Sequence, residues 1–271
     1  MSLDHPVGAP SWFELATRDQ AAADTFYSAL FGWTRRETPM PDGSHYTVFQ
    51  LDGRDVAACY TLMPDMLAAG IPPHWAVYFK VADCDATVEA ARANGGTVFC
   101  EPFEVMGHLR MATLGDPEGA VFNLQQPRAH PGVGVLREPN SVLWVELATR
   151  DLARAEGFYG VVLGWQAAPF EAGPTQYRVL SVPGDENAFG GMMEMNEEWA
   201  GIPTHWSIYL HVLDVDATLE RAQAAAFLDR QGDVGLGPVM PPRPRLDPHG
   251  ALHLAGRTLA DQVDGGAGQA D

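Results

Sequence analysis

The residues best suited to chemistry in this chain come in matched pairs: Glu14 with His74, and, about 131 positions later, Glu146 with His205. A carboxylate beside an imidazole is a proton-transfer pair. Histidine titrates near neutral pH and a carboxylate can orient its ring, so each pair could move a proton to or from a bound molecule. The same side chains could instead hydrogen-bond each other or the backbone and fix neighbouring strands, as buried polar groups generally must. A third use is a divalent-metal site built on Glu14 and His74 with His45 or His108. The second copy weakens that idea, because Gln176 and Val239 stand where those histidines would recur. Glu14, His74, Glu146 and His205 are therefore the catalytic candidates.

These pairs sit inside a duplication. Trp12-Phe13-Glu14-Leu15-Ala16-Thr17-Arg18-Asp19 returns as Trp144-Val145-Glu146-Leu147-Ala148-Thr149-Arg150-Asp151. Phe26-Tyr27 and Gly32-Trp33 return as Phe158-Tyr159 and Gly164-Trp165, and Ile71-Pro72-Pro73-His74-Trp75 as Ile202-Pro203-Thr204-His205-Trp206. A fixed long period is the signature of duplicated units. The expected division is a first domain over 11–127, a Pro- and Gly-rich linker over 128–140, a second domain over 141–255 that diverges after 227, and a disordered tail over 256–271.

Each copy holds two smaller units of like order. Alternation from Ser11 predicts a strand with Trp12, Glu14 and Ala16 on one face, then an Asp19-capped helix to Gly32. Three short strands follow near 33–38, 46–51 and 56–62, separated by turn signals. After Pro72-Pro73 the order repeats: a strand at 74–81, a helix at 85–93, and strands near 97–101, 111–114 and 120–124. The second copy predicts strands near 141–148, 165–170, 176–181 and 188–195 with a helix at 152–162. Its last unit begins normally at His205 but becomes proline-rich at 239–245, unsuited to a central strand. Strand alternation also puts His74 on one face with Ala76 and Tyr78.

Composition narrows the function classes. With 46% hydrophobic and 19% charged residues in 271, the chain can form ordinary globular cores. A formal net charge of −18 opposes binding to nucleic acid or an anionic membrane. No apolar run approaches the roughly 20 residues of a membrane span, and residues 1–10 show no secretory pattern, so a cytoplasmic location is expected. Cys59, Cys84 and Cys100 lack counterparts in the second copy, which argues against a disulfide framework or a repeated thiolate site.

Four βαβββ units in two tandem pairs, with the Trp-x-Glu-Leu-Ala-Thr and His-Trp-x-x-Tyr motifs and Asp116-Pro117-Glu118-Gly119-Ala120, resemble the vicinal oxygen chelate superfamily of glyoxalases, extradiol dioxygenases and bleomycin-resistance proteins. More narrowly they are similar to tandem glyoxalase-like proteins of actinobacteria, often labelled hydroxylases. The resemblance implies an α+β fold in which two units form a partly open barrel, with a divalent metal held on first and last strands. The matching positions here are Trp12, Ala76 and Asn123, then Trp144, Ser207 and Leu254. Indole, methyl and isobutyl groups cannot ligate a metal, and a lone amide or hydroxyl oxygen is a poor substitute for imidazole or carboxylate. No cofactor is expected, with a divalent metal as the alternative.

By the same resemblance Glu14 and His74 point into the first cavity and Glu146 and His205 into the second. Trp12, Tyr78, Asn123, Trp144 and Tyr209 are the ligand-contacting candidates, suited to a flat, partly aromatic small molecule. Trp75 and Trp206 fall on the opposite face and belong to the helix-side core. Met40, Met63 and Met66, and Met192, Met193 and Met195, are candidates for the rims of the two openings. The expected function is small-molecule binding, with or without proton transfer by the Glu/His pairs; the alternative is a metal-dependent lyase or dioxygenase. The expected assembly is a pseudo-dimeric monomer or a homodimer.

Overall fold

The computed structural model describes residues 3–40, 43–172, 175–185, 187–228, 244–246 and 252–254. In the first copy, β1 (Pro10–Thr17), α1 (Gln20–Phe31), β2 (Thr34–Pro39), β3 (His45–Leu51) and β4 (Arg54–Thr61) make one unit. A short helix α2 (Pro64–Ala68) leads to the second unit: β5 (His74–Lys80), α3 (Cys84–Ala93), β6 (Thr97–Val105), β7 (Leu109–Gly115) and β8 (Val121–Pro127). The helices start where the sequence says. Asp19, Asp83, Asp151 and Asp214 each accept a hydrogen bond from the backbone N–H three residues on, satisfying a donor the first turn leaves orphaned. Gly32 ends α1 at φ 70°, a left-handed position that favours glycine.

The two units join into one eight-stranded sheet, ordered β2-β3-β4-β1-β5-β8-β7-β6, through the antiparallel pairing of β1 with β5. That register sets Trp12 beside Tyr78, Glu14 beside Ala76 and Ala16 beside His74 on one face. Phe13, Leu15, Trp75 and Val77 lie on the other, where Trp75 donates to the Tyr27 hydroxyl of α1 at 3.1 Å. The α+β class follows the expectation of glyoxalase-like units, and among the described residues no closed barrel forms.

The second copy contributes β9 (Val142–Thr149), α4 (Leu152–Val162), β10 (Gln166–Ala172), β11 (Thr175–Ser181), β12 (Gly190–Glu194), β13 (His205–Leu210) and α5 (Val215–Leu228). Its sheet runs β10-β11-β12-β9-β13, and β14 (Pro244–Leu246) and β15 (Leu252–Leu254) form, among the described residues, a separate two-stranded antiparallel pair. The proline-rich stretch before Pro244, the segment Asp247-Pro248-His249-Gly250-Ala251, whose sequence parallels Asp116-Pro117-Glu118-Gly119-Ala120, and the tail over 256–271 lie outside the described residues. Besides α2, a single 3-10 turn at Glu197–Trp199 was not anticipated.

The copies share one apolar core. Phe79 of β5 meets Trp165 and Trp206 at ring-centroid distances of 4.9 and 5.2 Å, and Phe122 meets Tyr159 at 5.4 Å. Asp116 joins them too. Its Oδ1 accepts from the Glu118 and Ala120 N–H groups, and its Oδ2 accepts from the Tyr159 hydroxyl at 3.2 Å. Tyr159 in turn accepts from Trp206 Nε1 at 3.0 Å.

The segment read as a linker does more than span a gap. Val133 and Val135 are buried, Val133 N–H donates to Ser11 O, and Gly134 N–H donates to Asp55 O. Gly132 is at φ 114°, where an added Cβ would stand 2.5 Å from Ser11 O, so glycine lets the segment lie against β1. The segment and the N-terminal arm also trade places: Trp33 Nε1 donates to Asn140 O at 2.8 Å, and Trp165 Nε1 donates to Gly8 O at 2.7 Å.

Candidate functional site

On the sheet face turned away from α1, Glu14 is held by aromatic donors. Tyr46 Oη donates to its Oε1 and Tyr78 Oη to its Oε2. Trp12 Nε1 donates to Oε1 at 3.2 Å and to the Tyr46 hydroxyl at 3.0 Å. Glu14 as a residue is half-buried, and burial of its carboxyl pushes the pKa above the usual range despite the three donors that favour the charged form. Burial beside that carboxyl also drives the Tyr46 and Tyr78 hydroxyls well up.

The second copy repeats the arrangement. Tyr177 Oη donates to Glu146 Oε2 at 3.0 Å, Tyr209 Oη to Oε1 at 2.5 Å, and Trp144 Nε1 to the Tyr177 hydroxyl at 3.0 Å. Glu146 is more enclosed, at 4% exposure. Tyr177 reaches its carboxylate across Gly191, where an added Cβ would land within the phenol ring. Gly191→Ala is therefore expected to expel the Tyr177 hydroxyl and to cost about 1–3 kcal/mol through overpacking. Denaturant unfolding measures this, and a cost near zero would show that the ring has no fixed place over β12.

The histidines take a different course from the proton-relay expectation. His74 Nδ1 lies 2.9 Å from Pro72 O, and no hydrogen bond joins His74 to Glu14. A carbonyl only accepts, so in the neutral ring Nδ1 carries the proton and Nε2 is the acceptor. The carboxylate thus orients tyrosines rather than the imidazole. His205 Nδ1 is likewise 2.8 Å from Pro203 O. The turn before each strand supplies a carbonyl two residues back, and the hydroxyls on the facing strands reach the carboxylates.

Asn123 is buried beside Tyr78, with its Oδ1 accepting from Thr113 Oγ1 at 2.7 Å. His45 and His108 are exposed, at the start of β3 and in the turn between β6 and β7. Among the described residues, no three His, Cys, Asp or Glu side chains gather closely enough to share a metal ion. Met192 is fully buried in the core rather than at a rim, because it follows Gly191 onto the other face of β12. Met195 is buried with Ala148 and Trp199.

Three contributors escaped the sequence reading. Tyr46 and Tyr177 stand 131 positions apart, the same offset as Tyr78 and Tyr209, and that recurrence could have found them. His130, from the segment between the copies, sets its ring 4.3 Å from Trp12 and almost perpendicular to it. Burial pulls the His130 pKa below the usual histidine value, so a neutral imidazole closes this end of the quartet.

Comparison with known proteins agrees on lineage. A family model described as Glyoxalase/Bleomycin resistance protein/Dioxygenase superfamily matches residues 3–124, and one described as bleomycin resistance protein-like N-terminal matches residues 141–179. The chain is 37% identical to the anthracycline biosynthesis protein DauV of Streptomyces sp. (strain C5), covering 90% of this chain and 91% of that protein. It is 39% identical to the putative glyoxylase CFP32 of Mycobacterium bovis, covering 82% and 84%. Among solved structures, the Mn(II)-bound glyoxalase from Novosphingobium aromaticivorans aligns at TM-score 0.56 and 14% identity, covering 91% of this chain and 81% of that one. At that identity the likeness concerns the fold.

Proposed function

Because this chain belongs to the glyoxalase/bleomycin resistance protein/dioxygenase superfamily, we propose that it binds a small, partly aromatic molecule on the open face of its first sheet, with Glu14 as the polar anchor. The observation that carries the reading is a half-buried glutamate whose carboxyl oxygens are both held by tyrosine hydroxyls within an aromatic wall. Apolar walls with a few convergent polar groups suit a flat organic ligand. The relatedness to proteins named for anthracycline biosynthesis points the same way, toward fused-ring aromatic compounds.

Proton transfer fits the same group. As a carboxylate, Glu14 accepts from both tyrosines. Once protonated, it donates to one tyrosine oxygen, and that tyrosine's own O–H can turn to the ligand. A carboxyl whose pKa is raised by burial is suited to such exchange. His74, with Nε2 as acceptor, is the second candidate for handling a proton.

The divalent-metal alternative fits the donor set poorly. Two hydroxyls and an indole N–H direct their hydrogens at Glu14, and a cation there would face those hydrogens. Trp12 and Ala76 offer no ligand atom, and the oxygen of Asn123 is engaged by Thr113. Titration with hydroxylated anthraquinones, followed by tryptophan fluorescence, is expected to show saturable quenching by protein prepared without chelator. Stoichiometric Mn, Fe, Ni or Zn in that protein, lost in a Glu14→Ala, His74→Ala double variant, would overturn the reading in favour of a metal-dependent lyase or dioxygenase. A monomer with internally paired copies is the assembly that goes with it, checked by solution mass. No helix among the described residues is long and apolar enough to cross a membrane.

A further inference from the structure

The internal duplication allows one cavity mouth to be compared with the other. In the second copy, Trp199 lies on the Glu146 face of the sheet, buried to 4% exposure against Ala148 and Met195, with Met193 and Ile202 around it. Its ring centroid is 6.2 Å from that of His205. The loop is clamped there, since Arg150 donates to the carbonyls of Trp199 and Ile202, both at 2.9 Å. Ala148, Met193 and His205 are lateral neighbours across β9, β12 and β13.

In the first copy, Ala16, Tyr60 and His74 hold the matching places across β1, β4 and β5. By backbone role the counterpart of Trp199 is Met66, whose carbonyl accepts from Ile71 N–H five residues on, as the Trp199 carbonyl accepts from Ile202 N–H three residues on. Among the described residues no indole takes the matching place here. Helix α2 buries none of its residues, Met63 and Leu67 are exposed, and Tyr60, His74 and Met66 are all half-buried.

We infer that the ring of a planar aromatic ligand seats at this first mouth, between Tyr60, His74 and Met66, in the place that the Trp199 indole takes in the second copy. It follows that the second copy fills its own site and one ligand binds per chain. The inference rests on the small-molecule reading above, and adds where the ring sits and which copy takes it. The chemistry specified is a flat bicyclic or larger aromatic, sized to an indole and stacking against imidazole and phenol.

Indole itself is the probe, titrated calorimetrically into the full chain. One site is expected in the parent protein. Met66→Trp, on an exposed helix where folding is insensitive to the change, is expected to plug the first mouth and weaken binding by about tenfold or more. Trp199→Ala, or Trp199→Leu if the alanine variant unfolds, is expected to add a second site. Two sites in the parent, or binding untouched by Met66→Trp while Glu14→Gln weakens it, would overturn the placement and leave the small-molecule reading standing. No binding of indole or any hydroxyanthraquinone by any variant would remove both.

Discussion

Replacing Glu14 with alanine is expected to destabilise the protein by about 3 kcal/mol, because it leaves the Tyr46 and Tyr78 hydroxyls without an acceptor in a crowded site. Trp12 Nε1 keeps the Tyr46 oxygen and so loses less. Glu14→Gln retains an acceptor and is expected to stay within about 1 kcal/mol of the parent. The two proteins should differ in pH dependence. A carboxyl raised in the folded state contributes stability that is full below its unfolded pKa and is lost as pH rises through its folded one. The parent is therefore expected to lose ground to Glu14→Gln as pH rises from about 4, the usual carboxyl value, through the raised folded-state one. Urea midpoints across that range measure it, and a constant gap would show that burial does not raise this carboxyl. Both variants should also bind hydroxyanthraquinones at least about tenfold more weakly.

The second large effect is expected at the junction between the copies. Asp116→Ala removes the acceptor for two backbone N–H groups and for the Tyr159 hydroxyl, the Ala120 and Tyr159 bonds buried and the Glu118 bond part-buried, and should cost about 3–5 kcal/mol. Asp116→Asn keeps Oδ1 and should cost about half as much. Tyr159→Phe deletes one hydroxyl but orphans both Asp116 Oδ2 and Trp206 Nε1, so about 2 kcal/mol is expected. Urea unfolding of the three variants orders them, and a loss below about 1 kcal/mol for Asp116→Ala would mean that the turn holds without its carboxylate.

Much of the scaffold was legible in the sequence, because helix caps and alternating strands are local signals and the duplication repeats them. Asp19, Asp151 and Gly32 act as read, and Trp75 falls on the helix side as strand alternation requires. The site was half legible. Glu14 could be placed on a face with Trp12, but its partners depend on register between strands, which alternation within one strand does not specify. Hence Tyr46, across two strands, escaped notice, and of the two partners open to His74, Glu14 or the backbone, it is the nearby Pro72 carbonyl that holds the imidazole. The segment over 128–140 misled through composition. Proline and glycine suit a tether, yet they also suit an irregular path along a sheet, and only Val133 and Val135 hinted at burial.

The traded positions of Gly8 and Asn140 are 132 residues apart, as are Trp33 and Trp165, so each copy is gripped by the stretch that precedes the other. That reciprocity is the contact pattern of a homodimer with swapped arms, here written into one polypeptide. Fusion turns a concentration-dependent association into an intramolecular one, with an effective concentration of about millimolar for a short tether. Because partnership within one chain does not depend on concentration, a change in one half, such as the buried Trp199 indole, need not be matched in the other for the two to stay together.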